Sequence, residues 1–397
     1  MKTKQFIAVA AFVCLPIFWS TPSHCLADDG HPIAIRSWPD GGISIETMWG
    51  LKVGHGLAAD SEVAKQMDLL AESVEEGKPI FLRRGANADK VVMANSPQEN
   101  DVAVVVGPAD GGESVGEQDS PAPLGKSGVA ISVDGAGVFL LQSMPSEATL
   151  EVAKSKKATY EKDARLALVA TGKEFDQAAI ETLVDTFAPR LMIVNSDIDK
   201  VNDIAVEHFK HNSVAFSSGA AKEPRLVSLG TEPYEMSEQL AKLFARKEAA
   251  QKPTRDLFAS LSIEQMNFRP PNGTHTPRWN AEHMMGRELL FFSQIYHGMD
   301  KSIPVMDLNP KQMPKDYQFA HADWTGEEEA RQIQRVQDFT RRFAYLLDGL
   351  DLNKKPKSSR FWTPRSLLLQ MERHYNEHSA NVRKKMELET WPKDSKE

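Results

Sequence analysis

The chain has 397 residues, with 47 Lys and Arg against 55 Asp and Glu. Hydrophobic residues at 41% and charged residues at 26% are ordinary globular values, which excludes a fibrous or disordered chain. The length favours two domains over one, and a net charge of −8, taken without basic clusters, makes nucleic acid and anionic membranes poor partners.

The first residues differ from the rest. Lys2 and Lys4 precede an unbroken apolar run from Phe6 to Trp19, followed by small and polar residues ending Cys25-Leu26-Ala27. That order is the pattern of a secretory signal peptide, 1–27, cleaved after Ala27 to give a secreted or periplasmic protein. The apolar run is shorter than the ~20 residues that span hydrocarbon, so no stable membrane insertion is expected after cleavage. Both cysteines, Cys14 and Cys25, fall in this segment. The mature chain would then have no disulfide, no thiolate ligand and no cysteine nucleophile.

Two textures follow. Over 28–231, short β-rich runs alternate with Gly/Pro/Asp turns and amphipathic stretches, which predicts a layered α/β domain. Strands are expected at 43–49, 79–83, 90–94, 102–106, 129–133, 138–141, 165–169, 190–194, 213–217 and 225–229. The fifth and sixth form a hairpin across Asp134-Gly135-Ala136-Gly137. Helices are expected at 61–75, 146–156, 175–186 and 198–210, and residues 107–127 read as a long exposed loop. Over 232–397 the β-signal vanishes. Four helical segments are predicted at 235–261 (kinked or broken at Pro253), 276–297, 327–350 and 364–388, an all-α domain.

The chemistry concentrates on the last helix. Leu367, Met371, His374, His378 and Val382 recur at three and four, so the two histidines interrupt a core-facing stripe. One turn apart, two imidazoles are placed to share one ion. On spacing alone, such a pair also fits two hydrogen-bonded or solvated histidines. A stable metal site needs a third ligand, and His283, near the start of the second helix and one turn after Trp279, offers it from a facing helix. Glu282, Glu288 and Glu377 are candidates for orienting a ligand or acting as base. Helical phase favours Glu288, which reads equally as a surface partner of Arg287. His297 lies ~21 Å along the axis from His283, too far for a shared ion. His321 reads as a solvated loop residue and His275 as a turn residue.

Three motifs together resemble a known family: Leu261-Ser262-Ile263-Glu264-Gln265-Met266-Asn267-Phe268-Arg269-Pro270-Pro271, then Trp279 with His283, and finally His374-Tyr375-Asn376-Glu377-His378. This order is similar to the DinB-like superfamily, over about 235–390. The resemblance implies a four-helix bundle in which His283, His374 and His378 ligate a divalent ion, zinc or nickel. Three neutral imidazoles leave an open coordination position, the arrangement of a catalytic site, and would lose the ion below about pH 6. Known members include thiol-dependent transferases, isomerases and some hydrolases. A metal-dependent hydrolase or transferase acting on a small molecule is therefore one expectation. A non-enzymatic metal-binding or interaction protein is the other, and a homodimer remains open.

The succession of strands and helices in 28–231, with Gly54-His55 early, weakly resembles a metallo-β-lactamase fold. The HxHxDH ligand run is absent, and only His31, His55, His208 and His211 remain there, the last two on the exposed end of a predicted helix. That implies a degenerate, metal-free domain with a binding or scaffolding role.

Overall fold

The computed structural model describes residues 31–393 except 49, 59, 73–80, 85–104, 108–127, 134–135, 156, 159–165, 218–223 and 307–320. The signal segment, the strand expected at 90–94 and nearly all of the 107–127 loop lie outside the described residues.

Two mixed sheets fill the first part. A six-stranded sheet has the order β13-β1-β2-β3-β4-β5, built from β1 (Ile33–Ser37), β2 (Ile43–Glu46), β3 (Lys52–His55), β4 (Leu69–Glu72), β5 (Phe81–Arg84) and β13 (Ser213–Phe216). An eight-stranded sheet has the order β11-β12-β14-β10-β9-β8-β7-β6. It contains β6 (Val105–Gly107), β7 (Gly128–Val133), β8 (Ala136–Leu141), β9 (Leu166–Ala170), β10 (Leu191–Val194), β11 (Lys200–Val201), β12 (Ile204–His208) and β14 (Arg225–Ser228). The hairpin predicted across 134–137 is the antiparallel β7–β8 pair, while β8, β9, β10 and β14 run parallel.

Side-chain alternation assembles these sheets into layers. Val138, Leu140, Ala167, Val169, Leu191 and Ile193 face the six-stranded sheet, where they meet Ile33, Ile35, Ile43 and Ile45. The intervening Phe139, Leu141, Leu166, Leu168, Met192 and Val194 face α1 (Glu147–Ser155) and α2 (Gln177–Phe187). Strands buried on both faces read as continuous apolar runs, which is why they were visible in the sequence.

Two predicted helices are strands. Of the helix expected at 61–75, the described residues 61–72 form a 3-10 turn, Ala64–Gln66, followed by β4. Val63, Ala64, Met67 and Leu70 mimic a helical stripe, but pairing of Leu69 and Leu70 with Val53 and Gly54 satisfies the backbone in a ladder instead. Residues 198–210 form β11 and β12, joined by Asn202-Asp203 with both φ positive (46° and 66°), a tight two-residue turn. Strands β1 and β3 were not expected at all.

Four long helices follow: α3 (Glu238–Ala259), α5 (Pro277–Met299), α6 (Gly326–Arg342) and α7 (Pro364–Met386), with a short α4 (Ile263–Asn267) between the first two. Helix α3 packs on α6 and α7, and α5 packs on α6 and α7. Pro253 sits inside α3 without breaking it. The third predicted helix stops early, at Arg342, and continues as a 3-10 turn, Ala344–Leu347. Side-chain caps set the starts: Ser237, Ser262, Thr276, Thr325 and Thr363 each accept a backbone N–H.

The helices and the six-stranded sheet share a core. Ala34, Met48 and Ala215 point away from the inter-sheet layer and join the helical cluster. Arg342, at the end of α6, donates to Glu46 Oε1 (2.6 Å) and to the Met48 carbonyl (3.2 Å), and Arg36 donates to Glu46 Oε2 (2.6 Å). Burial alone would raise the Glu46 carboxyl, but the guanidiniums of Arg342 and Arg36 outweigh it and hold it down to about 2. A Glu46→Ala variant leaves the Arg342 guanidinium buried without its carboxylate. Chemical denaturation is expected to show a loss of roughly 3–5 kcal/mol of unfolding free energy.

Candidate metal centre

His283 rises from the second turn of α5, whose start is fixed by the Thr276 cap and Pro277. His374 and His378 stand on successive turns of α7. Because α5 packs against α7, the three rings meet: the centroids are 5.0 Å apart for His283–His374, 5.1 Å for His283–His378 and 4.4 Å for His374–His378. One nitrogen from each ring lies within 4.8 Å of the others. Nitrogens on a tetrahedral ion with bonds of ~2.0–2.1 Å stand about 3.4 Å apart, so modest ring rotation closes the set.

The rings are held from behind. Trp279 stacks on His283 at 4.4 Å with planes 10° apart, and His275 stacks on the same indole at 3.7 Å and 11°. His275 is therefore more than a turn residue. The Asn280 amide oxygen lies 2.6 Å from His378 Nδ1, and its Nδ2 donates to the Thr276 carbonyl (2.7 Å). An amide oxygen can only accept, so this pattern assigns the His378 proton to Nδ1 and leaves Nε2 for coordination. Nδ1 of His283 and Nδ1 of His374 are buried and have no hydrogen-bond partner. Asn280 was missed in the sequence. It could have been found as the polar residue one turn before His283 on the same helical face.

The carboxylates are engaged elsewhere. Glu288 has no exposure and is neither a ligand-orienting group nor a surface partner of Arg287. It accepts from Lys247 (2.5 Å), Tyr375 (2.6 Å), Gln251 (3.1 Å) and Thr340 (3.1 Å). Glu282 accepts the backbone N–H of His321 (3.2 Å), and the exposed Glu377 faces Arg373 (3.6 Å). His297 binds the Ile303 carbonyl (2.7 Å), and His321 stacks on Trp324 (3.6 Å) instead of standing in solvent. His208 belongs to β12 and meets Ser228 Oγ (2.7 Å), while His211 packs on Tyr345 (4.6 Å). Neither is on a helix. His55 lies 3.1 Å from the Gln142 amide nitrogen.

Burial, followed by neighbouring positive groups, pulls all three pKa values down from 6.5: His283 to about 3, His374 to about 2 and His378 to about 4. The neighbours are cationic or imidazole: Arg287, Arg373, Lys385, His275 and the triad itself. Among the described residues, the groups that shift the three rings include no carboxylate. A neutral, electron-pair-donating triad with one buried and two half-buried rings is a donor set that a divalent cation fits.

Residues 247–381 match the DinB superfamily, a span that contains all three histidines. No curated protein and no solved structure matches the chain. The C-terminal helical region is thus a DinB-like domain, a class that often binds a divalent metal, and its histidine triad can hold one.

The depressed pKa values fix how the metal-free protein responds to acid. Well above pH 6.5 neither the folded nor the unfolded chain protonates these rings, and their full contribution to stability is present. Below 6.5 the unfolded chain takes up protons that the fold excludes, so stability falls as pH drops toward 4. For His374, 8% exposed, the effect is at most about 1.4 kcal/mol per pH unit. Thermal melts of metal-free protein across this range are expected to show a falling Tm, and His374→Gln is expected to flatten the dependence.

Proposed function

We propose that the protein is exported by way of the 1–27 segment and that its C-terminal region is a DinB-like four-helix bundle. In this reading His283, His374 and His378 hold one divalent ion, zinc or nickel, and the protein acts as a metal-dependent transferase or hydrolase. The observation that carries the metal reading is the pair of buried, unpartnered Nδ1 atoms on His283 and His374 beside a third ring already fixed by Asn280. Orphaned buried nitrogens are rare in folded proteins and call for a partner. An ion held by His283, His374 and His378 would keep a position open and would supply Lewis acidity to a water or thiol there.

The chain's own residues then define the substrate. Arg287, one turn beyond His283 on α5, suits a small anionic molecule, whereas the buried Lys385 ammonium already donates to the Asn381 carbonyl (3.1 Å). Among the described residues, Glu282, Glu288 and Glu377 are all engaged elsewhere, which favours transfer to an anionic nucleophile over hydrolysis. His283 and His378 are only half-buried, while Met285, Met371 and Tyr375 lie in the core, so the site reaches solvent. That favours catalysis over a sealed metal-binding module, the second reading. The chain divides near 231/232, with the two-sheet part a degenerate scaffold. Among the described residues, no helix is long and apolar enough to cross a membrane.

Elemental analysis after reconstitution tests the site. One equivalent of zinc or nickel is expected in the wild type, and content near background in His283→Ala, His374→Ala and His378→Ala. His297→Ala is expected to bind as the wild type does. Asn280→Ala is expected to weaken affinity about 10–100-fold through the loosened His378 ring. A wild type that takes up no metal, or alanine variants that keep it, overturns the reading.

Metal retention at acid pH gives a separate check. Protons compete only where the rings accept them, and pKa values of about 2 to 4 move that limit below the pH 6 expected from ordinary histidines. Dialysis at pH 5 is expected to leave the ion in place.

A further inference from the structure

The net charge of the chain hides a local reversal. From Leu352 to Met371 there is no acidic residue, yet Lys354, Lys355, Lys357, Arg360 and Arg365 all lie there and all are exposed. None of the five pairs with a carboxylate among the described residues. Arg360 lies over the ring of Phe361, 4.9 Å from its centroid, and Phe361 is 59% exposed. Behind it, Phe291 and Trp362 form the aromatic base of the patch, with Phe291 centroids 6.3 Å from Phe361 and 5.9 Å from Trp362.

The loop that carries these cations is built rather than slack. Arg365 N–H donates to the Leu352 carbonyl (2.9 Å), Lys354 N–H to the Asp351 carbonyl (2.9 Å), and Trp362 N–H to Ser359 Oγ (2.9 Å). Ser358 Oγ donates to the Ile295 carbonyl (3.5 Å), and a Cβ on Gly298 would come within 2.0 Å of that hydroxyl, so loop and helix end are in close contact. The cations are therefore displayed on the end of the helical region where α5 finishes and α7 begins. His374 and His378 are about 15 and 21 Å further along α7, so this surface is separate from the triad.

We propose that this end of the molecule docks peripherally on an anionic phospholipid surface, with Phe361 entering the headgroup layer and Lys354, Lys355, Lys357, Arg360 and Arg365 over the phosphates. An acidic protein segment would use the charges alone. An exposed aromatic ring among cations without a carboxylate partner among the described residues is the combination that the bilayer interface accepts, even with the Lys355 ammonium also donating to the Ser359 carbonyl (3.2 Å). The rest of the chain, being acidic, is held off that surface, which orients the protein with this end down.

Sedimentation of the full chain with vesicles tests the proposal, comparing phosphatidylcholine alone with phosphatidylcholine containing 30% phosphatidylglycerol. Wild type is expected to bind the anionic vesicles and to be released by 0.5 M salt. Lys354→Glu with Lys357→Glu is expected to lower the partition coefficient at least tenfold, and Phe361→Ser severalfold, with unchanged circular dichroism. The comparison among variants carries the test, because the apolar run 6–19 is common to all. Equal partition of wild type and variants overturns the proposal. So does binding of polyglutamate or heparin through the same residues by a protein that ignores anionic vesicles.

Discussion

The Glu288 carboxylate has no exposure, so its charge has to be answered from within the helical core, and the other three long helices all contribute. Lys247 and Gln251 come from α3, Thr340 from α6 and Tyr375 from α7. A buried charge stripped of its partner is destabilising by several kcal/mol, which makes any slip of one helix against another expensive. Registers that move Tyr375 or Lys247 by a turn leave Glu288 unanswered. The positions of His283, five residues before Glu288, and of His374, adjacent to Tyr375, follow from the same constraint. The triad converges because the layer beside it cannot shift.

That rigidity explains why three imidazoles can be pressed together at all. Neutral rings with buried nitrogens repel one another little, but each unpaired nitrogen loses hydration it could have kept at the surface. The fold accepts this at two of the three rings and relieves it at the third with Asn280. Stacking on Trp279 gives His283 a defined plane without using its nitrogens. Such an arrangement trades stability in the metal-free state for readiness toward a cation, as functional sites commonly do.

Much of this was legible in the sequence. The HxxxH stripe, the long helices and the doubly buried strands all announce themselves by period and by composition, because a single face or both faces of the element are buried. What was not legible depended on distant partners. Residues 61–75 and 198–210 carry apolar residues at spacings that suit either period, and only the neighbouring strands, or the Asn202-Asp203 turn, decide between them. Glu288 looked like a surface or site residue because its neighbour Arg287 is charged. Its actual partners lie 37 to 87 residues away. The basic loop was averaged away by a net charge summed over the whole chain.

The outer face of the six-stranded sheet carries Ala34, Met48 and Ala215, small or apolar residues with nothing polar to offer water, and the helices cover it. This makes the two parts physically interdependent. Sheets parted from the helices would leave an apolar face bare and the Glu46 carboxylate without Arg342. Helices parted from the sheets would strand the Arg342 guanidinium. Residues 34, 48, 215 and 342 are accordingly where the two parts depend on each other, at a distance from the triad.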